Sequence, residues 1–140
     1  MFLLTATTAF GAVPGTILGQ WNTEGGDSRV ELLKCGENIC GKIVWLKVPK
    51  YIDSTDGPVG RIKVDRKNPD PALRNRPILG LQVMKGFTAK GNKRWVNGTS
   101  YNPETGKSYK SKMKLVSPNR LELRGYIGVA LVGRTFSLTR

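Results

Sequence analysis

Residues 28–47 constrain the fold most, because their pattern predicts two strands folded back on each other. On the first arm Val30 and Leu32 alternate with the charged residues Arg29 and Glu31. On the second arm Ile43 and Trp45 are likewise two positions apart and alternate with Lys42. Apolar residues at every second position are typical of a strand with one buried face. The stretch therefore predicts an antiparallel β-hairpin.

Two cysteines lie at the predicted bend of this hairpin. Gly36 and Asn38, between Cys35 and Cys40, suit a chain reversal. Antiparallel neighbours have Cα atoms about 4.5–5.5 Å apart, which a disulfide accepts. We expect a Cys35–Cys40 disulfide, worth roughly 2 kcal/mol for so short a loop, and hence an oxidising compartment. The alternative, a metal pair or redox dithiol, is disfavoured because there is no second Cys pair and no C-x-x-C spacing.

The first residues of the chain predict export. Residues 1–12 are uncharged, largely apolar and end in small side chains, which is typical of the hydrophobic region and cleavage site of a secretory signal. An N-terminal strand is the alternative, and a membrane span would need about 20 apolar residues. We expect residues 1–12 to be the remainder of a signal peptide, residues 13–140 to form one domain, and the protein to be periplasmic or secreted.

Charge and composition limit the chemistry. The chain has 23 Lys and Arg residues, 10 Asp and Glu residues, a formal net charge of +13 and no histidine. The positive potential favours polyanions as partners. Without histidine, no Ser-His-Asp or Cys-His relay can be built. Asp56, Asp65 and Glu104 are the remaining loop candidates for acid–base catalysis, and loop carboxylates are usually just solvated. We expect a protein that is not an enzyme and has no cofactor.

The rest of the chain predicts an all-β fold. Alternating runs lie at residues 17–23, 28–34, 41–47, 79–87, 93–101, 107–116, 120–127 and 133–140. Eight half-apolar strands in an open sheet would leave edges to protect, so a closed up-and-down barrel or a folded sandwich is favoured.

Residues 48–77 interrupt the strands, with five prolines and no alternation. A connection of this length is often a lid or a functional loop. Asp70 and Pro71 favour one helical turn within it. Asp65, Asn68 and Asp70 could also be read as oxygen ligands for a divalent cation, but turn and cap chemistry is the better interpretation because calcium loops need more carboxylates. We expect no metal site.

Several runs together resemble a family of exported bacterial proteins, the domain of unknown function 2147. The matching runs are residues 17–21, 35–46, 65–74, 77–81, 101–109, 123–128 and 133–135, together with Arg140. The resemblance implies a lipocalin-like fold, which here means an eight-stranded antiparallel up-and-down β-barrel with one long loop and a short helix between the third and fourth strands. It also implies a cup that holds a small apolar ligand.

The alternation predicts which side chains face the inside of such a barrel. These are Ile43, Trp45, Leu79, Leu81, Val83, Trp95, Tyr109, Met113, Leu121 and Leu123. We expect the ligand-binding residues to be Ile43, Trp45, Leu81, Val83, Trp95, Tyr109, Met113 and Leu123. An eight-stranded barrel is just wide enough for its own side chains or one small molecule, so the alternative is that these residues only fill the core.

A structural floor is expected at one end of the barrel. Gly19 and Trp21 resemble the Gly-x-Trp signature of lipocalins, in which a late Arg packs over the indole ring. Arg134 and Arg140 share a face of the last strand. We therefore expect Trp21 to pair with Arg134 or Arg140 in a cation–π contact of about 0.5–2 kcal/mol.

The sequence thus favours an exported, non-catalytic binding protein for a small apolar or amphipathic ligand. The alternative is an envelope interaction module whose basic outer face, including Lys110, Lys112 and Lys114, binds anionic glycolipid, polysaccharide or protein. A nucleic-acid-binding barrel that stacks bases on its aromatic side chains is disfavoured, because export and the inward parity of those side chains argue against it. The oligomeric state is left open.

Overall fold

A computed structural model describes residues 16–126 and 133–140, and within them the chain forms a closed antiparallel barrel. The strands are β1 (Gly19–Asn22), β2 (Ser28–Cys35), β3 (Asn38–Leu46), β4 (Gln82–Ala89), β5 (Arg94–Asn102), β6 (Lys107–Ser117), β7 (Arg120–Tyr126) and β8 (Gly133–Thr139). Each strand pairs with the next, and Thr139 of β8 pairs with Asn22 of β1. The predicted eight-stranded up-and-down barrel is confirmed. The predicted signal peptide, residues 1–12, lies outside the described residues.

The disulfide predicted at the tip of the β2–β3 hairpin is present. Cys35 and Cys40 are bonded, with their Cα atoms 5.9 Å apart. The strands run closer to the bend than expected, because Cys35 lies opposite Asn38 and Cys40 lies opposite Leu33. The bridge therefore joins diagonal neighbours across the two strands instead of directly opposed residues.

A β-bulge in β3 overturns the prediction that Trp45 faces the interior. Ile43 lies opposite Val30, but Trp45 lies opposite Arg29, so β3 carries one extra residue, Val44, between these pairs. Such an insertion reverses the alternation beyond it. Trp45 is 36% exposed and packs under the Arg29 guanidinium, whose Cζ atom is 4.6 Å from the ring centroid.

The prediction that Leu79 faces the interior is also wrong. Leu79 is 51% exposed, because it lies in the turn before β4 and not in the strand. Gly80 takes a positive φ of 91° at this turn, a conformation that favours glycine. Ile78 and Leu81, on either side of the turn, are buried instead.

The interior at one end of the barrel is filled by side chains. Trp21, Phe87, Ile17, Leu32 and Leu121 are almost fully buried there, together with Met113, Leu115 and Leu138. Gly98 of β5 is needed for this packing, because a Cβ atom at that position would overlap the Phe87 ring.

Arg140 closes this packed end over Trp21. Its Cζ atom lies 4.0 Å from the indole centroid. The guanidinium donates hydrogen bonds to the backbone oxygens of Thr16 (2.8 Å), Leu18 (3.3 Å) and Pro118 (2.8 Å). The expected cation–π floor is therefore formed by Arg140.

Arg134, the other candidate for the floor, lies elsewhere. Its Cζ atom is 5.0 Å from the Phe136 ring centroid. The sequence could not choose between the two arginines because both follow the same alternation. Arg140 forms the floor because its guanidinium reaches the backbone just before β1 and that of Pro118, whereas Arg134 packs on Phe136.

We expect Trp21→Ala to lower the free energy of unfolding by about 3–5 kcal/mol, the usual cost of removing a buried aromatic side chain. Arg140→Lys keeps the charge but loses the planar contact with the Trp21 ring and the three hydrogen bonds to backbone oxygens. We therefore expect a smaller loss in the free energy of unfolding, about 1–3 kcal/mol. Urea unfolding measures both. Arg134→Lys is the matched control and should change little, and equal losses for the two arginine variants would contradict this account of the floor.

Candidate functional site

A cavity of about 660 Å³ opens at the opposite end of the barrel. This is the end where the β1–β2, β3–β4 and β5–β6 connections meet. Its lining residues are Asp27, Ser28, Ile43, Leu46, Lys47, Val48, Tyr51, Thr55, Asp56, Lys63, Val64, Arg66, Lys67, Ile78, Asn102, Pro103 and Glu104. Most of them belong to residues 47–81, the connection between β3 and β4, which we call the cover segment.

The cover segment is ordered by its own backbone pairing, although it lacks regular strands. Lys50 bridges Ile62, and Val64 bridges Pro77, both antiparallel. The Ile78 amide donates to the Lys63 carbonyl at 3.0 Å, continuing the second pairing. Three short extended pieces therefore lie side by side over the barrel end.

The first fold of the cover segment is the part between the paired residues Lys50 and Ile62, and Tyr51 stabilises it from inside. Its side chain is 6% exposed, and its hydroxyl accepts a hydrogen bond from the Val64 amide (3.1 Å) and donates to the Val64 carbonyl (3.3 Å). Gly57 packs against the ring so closely that a Cβ atom there would lie 2.7 Å from it. The tyrosine thus joins both arms of the first fold and lines the cavity.

Asp65 ties the cover segment to the barrel. Its carboxylate is fully buried. Oδ1 accepts a 2.6 Å hydrogen bond from the Tyr101 hydroxyl of β5, and Oδ2 accepts from Asn68 Nδ2 (2.8 Å) and Arg76 Nη2 (3.2 Å). A buried carboxylate is tolerated when its oxygens are paired in this way. The position therefore has a structural role that requires two oxygens that accept hydrogen bonds.

Burial, together with the Asp65 carboxylate that accepts its hydrogen bond, raises the pKa of Tyr101 to about 12. The negative charge of Asp65 disfavours a second negative charge on the phenol, and the hydrogen bond holds the proton in place. Tyr101 therefore acts as a permanent donor at neutral pH.

A second close approach holds the same part of the cover segment. Gly106, in the β5–β6 turn, has a φ of 75°, and a Cβ atom there would overlap the Lys67 carbonyl. The turn can therefore pack against the cover segment only with glycine at this position.

The predicted helical turn is present as a short 3₁₀ helix, Pro71–Leu73. Asp70 is its N-cap and accepts a hydrogen bond from the Ala72 amide at 3.0 Å. Asn68 Oδ1 accepts from the Asp70 amide at 2.8 Å. The side-chain oxygens of Asn68 and Asp70 therefore have turn and cap partners, and those of Asp65 accept from Tyr101, Asn68 and Arg76. In residues 16–126 and 133–140, no group of three His, Cys, Asp or Glu side chains could hold a metal ion.

The cavity is chemically two-sided. Its apolar surface includes Ile43, Tyr51 and Ile78, which are buried, and Leu46, which is half-buried. The charged lining residues are Lys47, Lys63, Arg66, Lys67, Asp27, Asp56 and Glu104. Four cationic and three anionic side chains therefore surround an apolar interior.

The structure places the predicted ligand-binding residues mostly below this cavity. Ile43 lines it, and Trp45 lies on the outer surface. Leu81, Val83 and Met113 are buried in the core, Trp95 and Leu123 are partly buried against it, and Tyr109 is half-buried on the inner side of β6. Period-two alternation identified the inside of the barrel but missed Tyr51, Lys63 and Ile78, because they lie in a segment without alternation. The proline-rich length of that segment was the available signal.

Comparison with known proteins agrees with this architecture. The sequence model of a family described as "Uncharacterized protein conserved in bacteria (DUF2147)" matches residues 19–140. Among solved structures, a match is the protein HP1028 from Helicobacter pylori, described as belonging to the lipocalin family, with a TM-score of 0.75 and 24% sequence identity over 89% of this chain and 82% of that chain. No curated protein matches.

None of the helices in the described part of the chain has the length and apolar character that crossing a membrane requires.

Proposed function

We propose that this chain, which belongs to the uncharacterized bacterial family DUF2147, is a non-catalytic binding protein for a small amphipathic ligand. The observation that carries the proposal is the cavity of about 660 Å³ between the barrel end and the cover segment. Ligand pockets have volumes of about 300–1,000 Å³ and combine an apolar lining with a few polar groups. A lipocalin-like fold is consistent with this use.

The lining favours an amphipathic ligand over a purely apolar one. Ile43 and Ile78 offer apolar contacts to one part of the ligand, while Lys63 and Lys67 offer positive charge to the other. A wholly apolar ligand would leave these ammonium groups without new partners. An anionic head group beside an apolar body therefore fits the lining best.

Binding without chemistry is favoured by the state of the candidate acids. Asp65 is committed to three hydrogen bonds with Tyr101, Asn68 and Arg76. Asp56 and Glu104 line the cavity but are exposed to solvent. With no histidine in the chain, only carboxylates, Tyr and Lys remain as acid or base groups.

We place this function outside the cytosol, in the periplasm or the medium. The support is the Cys35–Cys40 disulfide, since disulfides persist mainly in oxidising compartments. The apolar residues 1–12 are in keeping with export.

Anilinonaphthalene sulfonate, an anionic amphipathic dye, tests the cavity. We expect saturable binding by the wild type. Lys63→Glu combined with Lys67→Glu should weaken it about tenfold or more, because two attractive charges become repulsive at the lining. Fluorescence titration measures the dissociation constants.

The matched control is Lys112→Glu combined with Lys114→Glu, which makes the same change of net charge on the outer face. It should leave dye affinity within about twofold of wild type. An equal loss in both double variants would show that the dye responds to overall charge, and would contradict binding in this cavity.

A second candidate function is supported by the outer face of β5, β6 and β7. Lys110, Lys112 and Lys114 are exposed along β6, and the register places Arg94 opposite Lys114 and Arg124 opposite Lys112. Such a basic stripe favours an envelope interaction module that binds anionic glycolipid, polysaccharide or protein. The two candidates use different surfaces and can be tested separately.

Heparin, an anionic polysaccharide, tests this stripe. The triple substitution of Lys110, Lys112 and Lys114 by Gln should lower the salt concentration needed for elution from a heparin column, because these contacts are electrostatic. The control replaces three other exposed lysines, Lys34, Lys90 and Lys107, by Gln. It therefore removes the same amount of positive charge. Equal shifts in the two triple variants would rule out a specific role for the stripe.

A further inference from the structure

The outer side of the cover segment exposes an apolar patch. Ile52 is 77% exposed, Ile62 is 53% exposed and Leu79 is 51% exposed. Val59, at the tip of the first fold, is 62% exposed. Single exposed aliphatic residues are ordinary on a protein surface, but these four belong to one short segment of the chain.

The backbone pairing brings three of them together. Ile62 bridges Lys50, and Ile52 follows Lys50 by two positions, so the two isoleucines are on the same side of an extended pair. Leu79 follows Ile78, whose amide donates to the Lys63 carbonyl, and this antiparallel pairing sets Leu79 beside Ile62. Tyr51, Lys63 and Ile78, each adjacent in sequence to one of these three residues, line the cavity. One side of the cover segment therefore lines the cavity, and the other presents aliphatic side chains.

The patch is bordered by positive charge. Residues 47–81 contain Lys47, Lys50, Arg61, Lys63, Arg66, Lys67, Arg74 and Arg76, and their acidic residues are Asp53, Asp56, Asp65 and Asp70. Of these acids, Asp65 is already neutralised by Arg76 at 3.2 Å. Lys50, which is exposed, lies directly opposite Ile62 and so on the same side of the extended pair as the two isoleucines. The segment therefore combines exposed aliphatic area with excess cationic charge.

This combination matches an anionic membrane surface better than a protein partner. The centres of protein interfaces are enriched in aromatic residues and depleted of Lys, whereas this patch is aliphatic and has lysine at its edge. Interfacial membrane binding draws on apolar side chains that enter the head-group region together with basic residues that contact anionic lipids. The lysine stems can also extend along the apolar surface while their charges meet the head groups.

We propose that the cover segment docks this protein onto anionic lipid membranes through Ile52, Ile62 and Leu79, with Lys50 contacting the lipid phosphates. The surface is distinct from the cavity lining, so docking extends the ligand-binding proposal without depending on it. It would bring the outer wall of the cavity to the bilayer, which is where amphipathic molecules reside.

Vesicle sedimentation tests the proposal, with phosphatidylcholine vesicles that either contain phosphatidylglycerol or lack it. The wild type should bind the anionic vesicles and bind neutral ones much more weakly, with a loss of binding as salt rises. Replacing Ile52, Ile62 and Leu79 together by Ser should lower the partition coefficient about tenfold or more. Lys50→Gln should also weaken binding to the anionic vesicles.

Val116→Ser is the control for loss of an exposed aliphatic side chain, since Val116 is 49% exposed on β6, and it should bind as the wild type does. Dye binding in vesicle-free buffer separates docking from ligand binding, because the triple Ser variant should keep its dye affinity if its cavity is intact. Should that variant lose the dye as well, the single Ile52→Ser variant decides, since Ile52 is the most exposed of the three.

Two results would overturn the proposal. One is a triple Ser variant that retains the dye and partitions onto anionic vesicles as well as the wild type does. The other is vesicle binding that is abolished by the Gln substitutions at Lys110, Lys112 and Lys114 but unaffected by those in the cover segment, because docking would then occur through the barrel wall.

Discussion

The end of the barrel that carries the cavity depends on one buried carboxylate, that of Asp65. The cover segment has many prolines, no regular strand and little core of its own, so ordering it costs conformational entropy that must be offset by specific contacts. Asp65 supplies three of these contacts at one point and directs one of them, through Tyr101, into the barrel wall. Because an unpaired buried charge is costly, the carboxylate favours only the arrangement in which all its partners are in place. The cavity exists because this arrangement holds the segment over the barrel end instead of letting it collapse or drift away.

The barrel and the cover segment therefore have separate tasks. Eight strands enclose a space that side chains can fill, and at the Trp21 end they do fill it. Arg140 seals that end by joining the chain before β1 to the β6–β7 turn. The cavity lies at the other end and is lined mostly by residues of the connections. This division explains how a rigid closed wall and a chemically two-sided cavity occur in a single small domain.

The sequence predicted the fold well, because period-two alternation, glycine turns and the cysteine spacing are local signals that a closed sheet preserves. The predicted facing of side chains was wrong where a bulge or a turn interrupts a strand. The extra residue Val44 reverses the facing of Trp45, and the turn at Gly80 removes Leu79 from β4, and neither event changes the apparent alternation. The site was harder still, since Asp65 and Tyr101 are 36 positions apart in sequence and nothing in either neighbourhood identifies the other. The length of the proline-rich connection did indicate the segment that covers the barrel end, but not which of its side chains turn inward.

The titration of Tyr101 tests this arrangement most directly, because its phenolic proton lies in the hydrogen bond that joins the cover segment to β5. The ultraviolet absorbance of the phenolate, followed against pH for the wild type and for Tyr101→Phe, isolates this residue from the other tyrosines by difference. An unfolded chain loses the proton near pH 10, while the folded chain keeps it to about pH 12, so stability should also fall as pH rises through this interval. If Asp65 and burial hold this proton in place, the pKa of Tyr101 is about 12. A value near 10, that of a solvated phenol, would show that the buried Asp65 contact does not hold the cover segment in place.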